Sequence, residues 1–128
     1  MRLRTRLVTS ICLLAGCGCG NKQSTNELIE ALKSPEERER LIAVRVLPQR
    51  KGDAPQIVPA LIEALKDDGG DIRWSAAIGL GSFGDQAVDA IPALQTALSD
   101  RDARVREAAG VALSRIDPNA FPASSKKP

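Results

Sequence analysis

Asn26–Lys33 reads NELIEALK, Pro59–Lys66 reads PALIEALK and Pro92–Ser99 reads PALQTALS. The three stretches stand 33 residues apart at both steps. The same offset carries Leu28 to Leu61 and Leu94, and Leu32 to Leu65 and Leu98. It also carries Arg40 to Arg73 and Arg106, Ala43 to Ala76 and Ala109, and Leu47 to Leu80 and Leu113. Identities held through two successive steps at one period mark a stacked-repeat architecture, in which each unit hides its apolar face against the next.

Each period holds two helical patterns. In the last, Leu94, Ala97 and Leu98 mark the apolar stripe of a first helix, and Ser99 to Asp102 form a polar turn. Val105, Ala108, Ala109, Ala112, Leu113 and Ile116 then recur at three- and four-residue spacing. Asp67, Asp71, Asp100 and Asp102 fall at the turns, where carboxylates cap helix N-termini. Pro55, Pro59 and Pro92 fall near the starts of first helices, where proline is tolerated. Aromatic residues are 2% of the 128 (Phe83, Phe121 and Trp74, with no tyrosine), so Ala, Leu, Ile and Val must fill the core. Such small aliphatic filling suits close-packed helices. The expectation is an all-α fold, a short α-solenoid of about three helical hairpins over residues 26–118.

The period also suits ankyrin and tetratricopeptide units, but the T-P-L-H signature of the first and the W-x₂-L-G core of the second are missing. The runs Asp100, Val105-Arg106, Ala108-Ala109, Ala112-Leu113 and Asp71-Ile72-Arg73, Ala76-Ala77, Gly79-Leu80-Gly81, Gly84-Asp85 resemble the short HEAT-like repeat of phycobilin lyases. The first unit departs, with Glu39 before its arginine and Pro48-Gln49-Arg50 in place of the glycine-rich end. The resemblance implies that Arg40, Arg73 and Arg106 are structural, and that second helices line a concave surface.

The chain has no histidine, which removes the commonest general base and excludes Ser-His-Asp and Cys-His catalysis. No catalytic residue, metal site or cofactor is expected. The turn Asp67-Asp68-Gly69-Gly70-Asp71 superficially resembles a calcium loop, but it lacks the alternating ligands and the closing Glu of an EF-hand. It reads as a capped turn.

Residues 1–16 have the build of a secretory leader: Arg2, Arg4 and Arg6, then an uncharged apolar run too short to span a bilayer. Leu13-Leu14-Ala15-Gly16-Cys17 resembles the lipobox of bacterial lipoproteins, which implies acylation of Cys17 and cleavage before it. Cys19 would then be the only thiol left, so no intramolecular disulfide is expected. Residues 17–25 would be anchor and linker, and the eight linker residues Gly18 to Thr25 reach at most about 28 Å. The tail 119–128 reads as disordered. The chain's +2 charge belongs to these ends: without the leader arginines it is −1, and without Lys22, Lys126 and Lys127 as well it is −4. A mildly acidic domain argues against binding nucleic acid through its phosphates.

Two sets of side chains stand out. Arg40, Arg73 and Arg106 recur in register. A basic ladder can grip phosphates; the adjacent aspartates point instead to arginines bonded to turn carboxylates of a neighbouring unit. On the Trp74 helix, Ile72, Ser75, Ala76, Gly79, Leu80 and Phe83 share one face, and Trp74 and Ile78 point away from it. Leu41 and Arg45 stand at the equivalent positions of the first unit, and Glu107 and Val111 at those of the third. Together they predict an apolar strip with a charged rim for a partner. The alternative is that Trp74 lies over a neighbouring helix and seals the stack.

The expectation is a non-catalytic protein-interaction scaffold, held to a membrane of a bacterial cell envelope through Cys17, with an unidentified protein partner and no nucleic acid or metal. The competing expectation is a component of an enzyme or chaperone assembly related to phycobilin lyases.

Overall fold

The computed structural model describes residues 23–123. Their element order is α1 (Thr25–Ala31), α2 (Glu37–Val46), α3 (Ala54–Ala64), α4 (Gly70–Phe83), α5 (Ile91–Ala97) and α6 (Ala103–Ile116). Short 3₁₀ segments join the hairpins at Leu47–Gln49, Lys51–Asp53 and Gly84–Ala90. The leader, Cys17 and Cys19 lie outside the described residues, as does the tail beyond residue 123.

The hairpin turns are copies of one another. Ser34 N donates to Ala31 O at 3.2 Å, Asp67 N to Ala64 O at 3.2 Å and Asp100 N to Ala97 O at 3.1 Å. The next helix starts three residues later each time. Asp102 caps α6 by accepting from Arg104 N at 2.9 Å. Helix α1 opens on a capping box: Ser24 Oγ accepts from Glu27 N at 3.2 Å, and the Glu27 carboxylate from Ser24 N at 2.7 Å. The S-x-x-E spacing was present in the sequence, and it moves the domain start into the expected linker. Thr25 Oγ1 donates to Asp53, and Arg50 donates to Thr25 Oγ1 and Gln23 O, tying this entry to the connection between α2 and α3.

Two expectations need correction. Pro55 and Pro92 occupy the first turns of α3 and α5, but Pro59 lies inside α3. Helix α3 starts one turn earlier than α5, because the second unit lacks the long 3₁₀ segment that precedes α5 in the third. Residues 119–121, expected to be part of a disordered tail, are held in a bonded turn. The Asp117 carboxylate accepts from Asn119 N at 3.1 Å and Ala120 N at 3.0 Å, Phe121 N donates to Asp117 O, and Phe121 packs half-buried against the core.

Second helices α2, α4 and α6 stand in a row, with α1, α3 and α5 on one side of it. Leu28, Leu47, Ile57, Leu61, Ile72, Leu80, Leu94 and Leu113 are fully enclosed, and Ala43, Ala76 and Ala109 are each 0% exposed. Helix α4 is flanked on three sides, by α2, α3 and α6, so it buries Arg73, Ala77 and Gly81 as well as its expected face. Gly81 makes this possible: a Cβ there would sit 2.9 Å from Ala112 Cα. Gly84 ends α4 at φ 57°, a left-handed conformation that side chains other than glycine resist. Lys51 Nζ lies 4.3 Å from the Phe83 ring centroid and donates to Ser82 O at 2.6 Å. Partial burial lowers its pKa.

Candidate functional site: the groove between α4 and α6

Four of the six expected partner-contact residues come together. Trp74 and Ile78 from α4, and Glu107 and Val111 from α6, line a shallow groove of about 460 Å³. Its floor is Ala77, Gly81, Ala108 and Ala112, and its ends are Arg104 and Arg115. Leu41 and Arg45 are not part of this lining. They lie one helix over on α2, Leu41 half-buried and Arg45 exposed.

The groove follows from the packing. Small residues on both helices bring the backbones close, so the floor carries few side-chain atoms. The longer Trp74, Ile78 and Val111 rise beside it. Ile78 and Val111 remain 42% and 45% exposed. Trp74 is half-buried against the core, so it seals the α4–α6 contact with part of its ring and presents the rest to the groove. Trp74 thus takes the packing position and also lines the groove.

Arg104 is not among the residues expected from the sequence, although its place in the first turn of α6 was legible there. It pairs with Asp71 at 2.8 Å and with Asp102 at 2.8 Å. Its bonds to Asp102 and Asp71 raise the guanidinium pKa, and the Arg104 bond lowers that of Asp102. Arg115 was missed because its Cδ reaches the site by crossing the position of Gly81, a contact set by helix packing.

The arginine register has a defined geometry. Arg40 donates from Nε to Asp67 at 2.8 Å, and Arg73 from Nε and Nη2 to Asp100 at 2.9 and 3.0 Å. Each Nη1 also holds two carbonyls of its own hairpin turn: Ser34 and Pro35 for Arg40, Asp67 and Asp68 for Arg73. Asp67 and Asp100 are fixed in turn by accepting from Gly69 N and Asp102 N, both at 2.8 Å. Each aspartate thus joins one unit to the next. Its bond to Arg73 lowers the pKa of Asp100 and raises that of Arg73. Arg106 makes only the inner half of the pattern, with Nη1 bonded to Asp100 O at 2.7 Å.

This chemistry suits binding. Asp100 and Asp102 are held ionised by guanidinium partners, so neither supplies a proton near neutral pH. The groove has an apolar floor, an aromatic wall and charged ends, the chemistry by which apolar surface with a polar rim contacts other chains.

The fold is a short stack of helical repeats. The family model for HEAT repeats matches residues 25–114, and the chain belongs to that family. Among solved structures, it is similar to the complex of CpcE and CpcF of phycocyanin lyase from Nostoc sp. PCC7120, with 30% identity and a TM-score of 0.70. That match covers 90% of this chain and 45% of the other, so this chain spans less than half its length. No curated protein matches.

Proposed function

We propose that this chain is a non-catalytic component of a protein assembly, in which the α4–α6 groove holds a segment of a partner. The supporting observation is the groove itself: a half-buried tryptophan and two exposed aliphatic side chains over a floor of alanine and glycine, with arginines at both ends. The likeness to the CpcE–CpcF complex favours an assembly component related to phycobilin lyases over the free-standing membrane scaffold expected first.

Photo-crosslinking from position 78 tests the groove. The expected result is one defined partner, crosslinked at a single segment and lost in Trp74→Ala; an unchanged crosslink in that variant refutes groove binding. Incubation with a bilin separates the enzymatic alternative: a time-dependent absorbance shift with the purified chain alone would overturn the non-catalytic assignment.

The lipobox resemblance around Cys17 supports a second element of the proposal, a lipid anchor that holds the module at a membrane of the cell envelope. Among the described residues, no helix is long and apolar enough to cross a membrane. Loss of membrane fractionation in Cys17→Ser is expected; a variant that stays with the membrane refutes lipidation there.

A further inference from the structure

The two ends of the stack are built differently. Inside it, α4 receives α6 through Arg73, Ala77 and Gly81, all buried by the next unit. The counterparts one period on are Arg106, Gly110 and Ser114, all on α6. The last helix therefore keeps the receiving chemistry: an arginine followed at four-residue spacing by two small residues.

Two further observations show that this end is left unfilled among the described residues. Leu65 is 8% exposed where the third unit covers it, whereas its counterpart Leu98 is 42% exposed. Arg106 is already held in the pose of Arg40 and Arg73 by its Nη1 bonds to Asp100 O and Arg101 O. No described carboxylate lies within ion-pairing distance of it, although Arg40 and Arg73 each have one.

The opposite end has lost the matching half. The residues that enter a receiving helix are Asp100, Ala108 and Ala112 in the third unit, and Asp67, Ser75 and Gly79 in the second. Their counterparts in the first unit are Ser34, Ile42 and Val46, with Ile42 50% exposed. Ser34 offers no carboxylate for Arg106, and the two branched side chains fill the space that small residues leave open. Head-to-tail stacking of identical copies is thus opposed by both charge and volume.

We infer that the C-terminal end of the stack, formed by Arg106, Gly110, Ser114 and Leu98, docks a helical-repeat unit of a different chain. That unit bears an aspartate three residues before its second helix and small residues on the entering face of that helix. The docking continues the α4–α6 interface by one unit, with the incoming aspartate taking the Nε–Nη2 fork of Arg106. It rests on the proposed role as an assembly component, but it uses a face separate from the Trp74 groove.

A surrogate partner tests it: the full chain carrying Ser34→Asp, Ile42→Ala and Val46→Ala, which restores the internal pattern, and Arg106→Glu, which blocks its own far end. A second surrogate carries only Ser34→Asp and Arg106→Glu, so the acid is tested on a less altered helix. Wild-type chain, labelled, is titrated with each, and circular dichroism checks that each is helical. The expected result is saturable 1:1 binding, weakened at least tenfold by Arg106→Gln in the wild-type partner and unchanged by Trp74→Ala. No binding by either folded surrogate, or binding indifferent to Arg106→Gln, overturns the inference. So does self-association of the wild-type chain that Arg106→Gln abolishes, since the occupant would then be a second copy. Failure of the Trp74→Ala crosslinking test leaves this titration unaffected, so the two proposals fail separately.

Discussion

Two glycines in neighbouring second helices are expected to respond to alanine with opposite signs. In free helices the substitution stabilises by about 1 kcal/mol, because alanine loses less backbone entropy. At Gly110 the added Cβ meets only Leu98 Cδ2 at 3.8 Å, an ordinary contact. Gly110→Ala is therefore expected to stabilise by close to that full amount. At Gly81 the added Cβ sits 2.9 Å from Ala112 Cα and 3.1 Å from Ala112 Cβ. Carbon atoms prefer about 3.5–4.0 Å, so α4 and α6 must part by several tenths of an ångström. Backbone on the far side cannot turn aside as a side-chain tip can. Such overpacking costs about 1–3 kcal/mol, offset by the same propensity gain. The net is a loss of up to about 2 kcal/mol, and the two variants should differ by about 2 kcal/mol. For a domain of this size that is a gap of about 8–16 °C in Tm. Urea unfolding followed by helical circular dichroism measures both. Equal shifts in the same direction would falsify the claim that Gly81 exists to admit Ala112.

The arginine ladder and the buried hydroxyl give three further expectations. Asp100→Ala leaves the guanidinium of Arg73, only 7% exposed, with backbone carbonyls alone, and should destabilise by about 3 kcal/mol in urea unfolding. The bond to Arg73 lowers the pKa of Asp100 in the folded state, so it binds a proton less readily there than in the unfolded chain. Its contribution is present in full above the ordinary carboxylate range and is lost as pH falls through the depressed value, and acid titration of Asp100→Ala should lack that step. Ser75 Oγ is buried with no hydrogen-bond partner among the described residues, so Ser75→Ala, which copies Ala108, should be neutral or stabilising by up to about 1 kcal/mol in the same assay.

Much of the fold was legible because its rules are short-range. A 33-residue identity pattern, apolar spacing of three and four, and turn aspartates fix helical hairpins through contacts between residues a few places apart. The Ser24–Glu27 capping box was equally local and could have been read. The face of α4 that carries Ile72, Ala76 and Leu80 and the exposure of Ile78 follow from helical geometry alone, whereas the burial of Arg73, Ala77 and Gly81 comes from packing against the neighbouring helices. The ladder was largely legible: recurring arginines and turn aspartates pointed to bonds with a neighbouring unit, and Arg40–Asp67 and Arg73–Asp100 are such bonds, but not to which carboxylate of that turn, Asp100 or Asp102, Arg73 would bind.

What the sequence determined by itself is the unit: its length, its two helices, its turn and the arginine that ties the turn together. Only the tertiary structure decided how units meet. Gly81 packs on Ala112 rather than on its period counterpart Ser114, and that offset places Arg115 and Arg104 at the ends of the groove and leaves Leu41 and Arg45 out of it. It also decided which arginine lacks a carboxylate, since Arg40 and Arg73 find theirs in the next unit and Arg106 has none among the described residues. The physical reason is range. Hydrogen bonds within a turn depend on neighbours in the chain, whereas the separation and sliding of two packed helices depend on every small and large side chain between them at once.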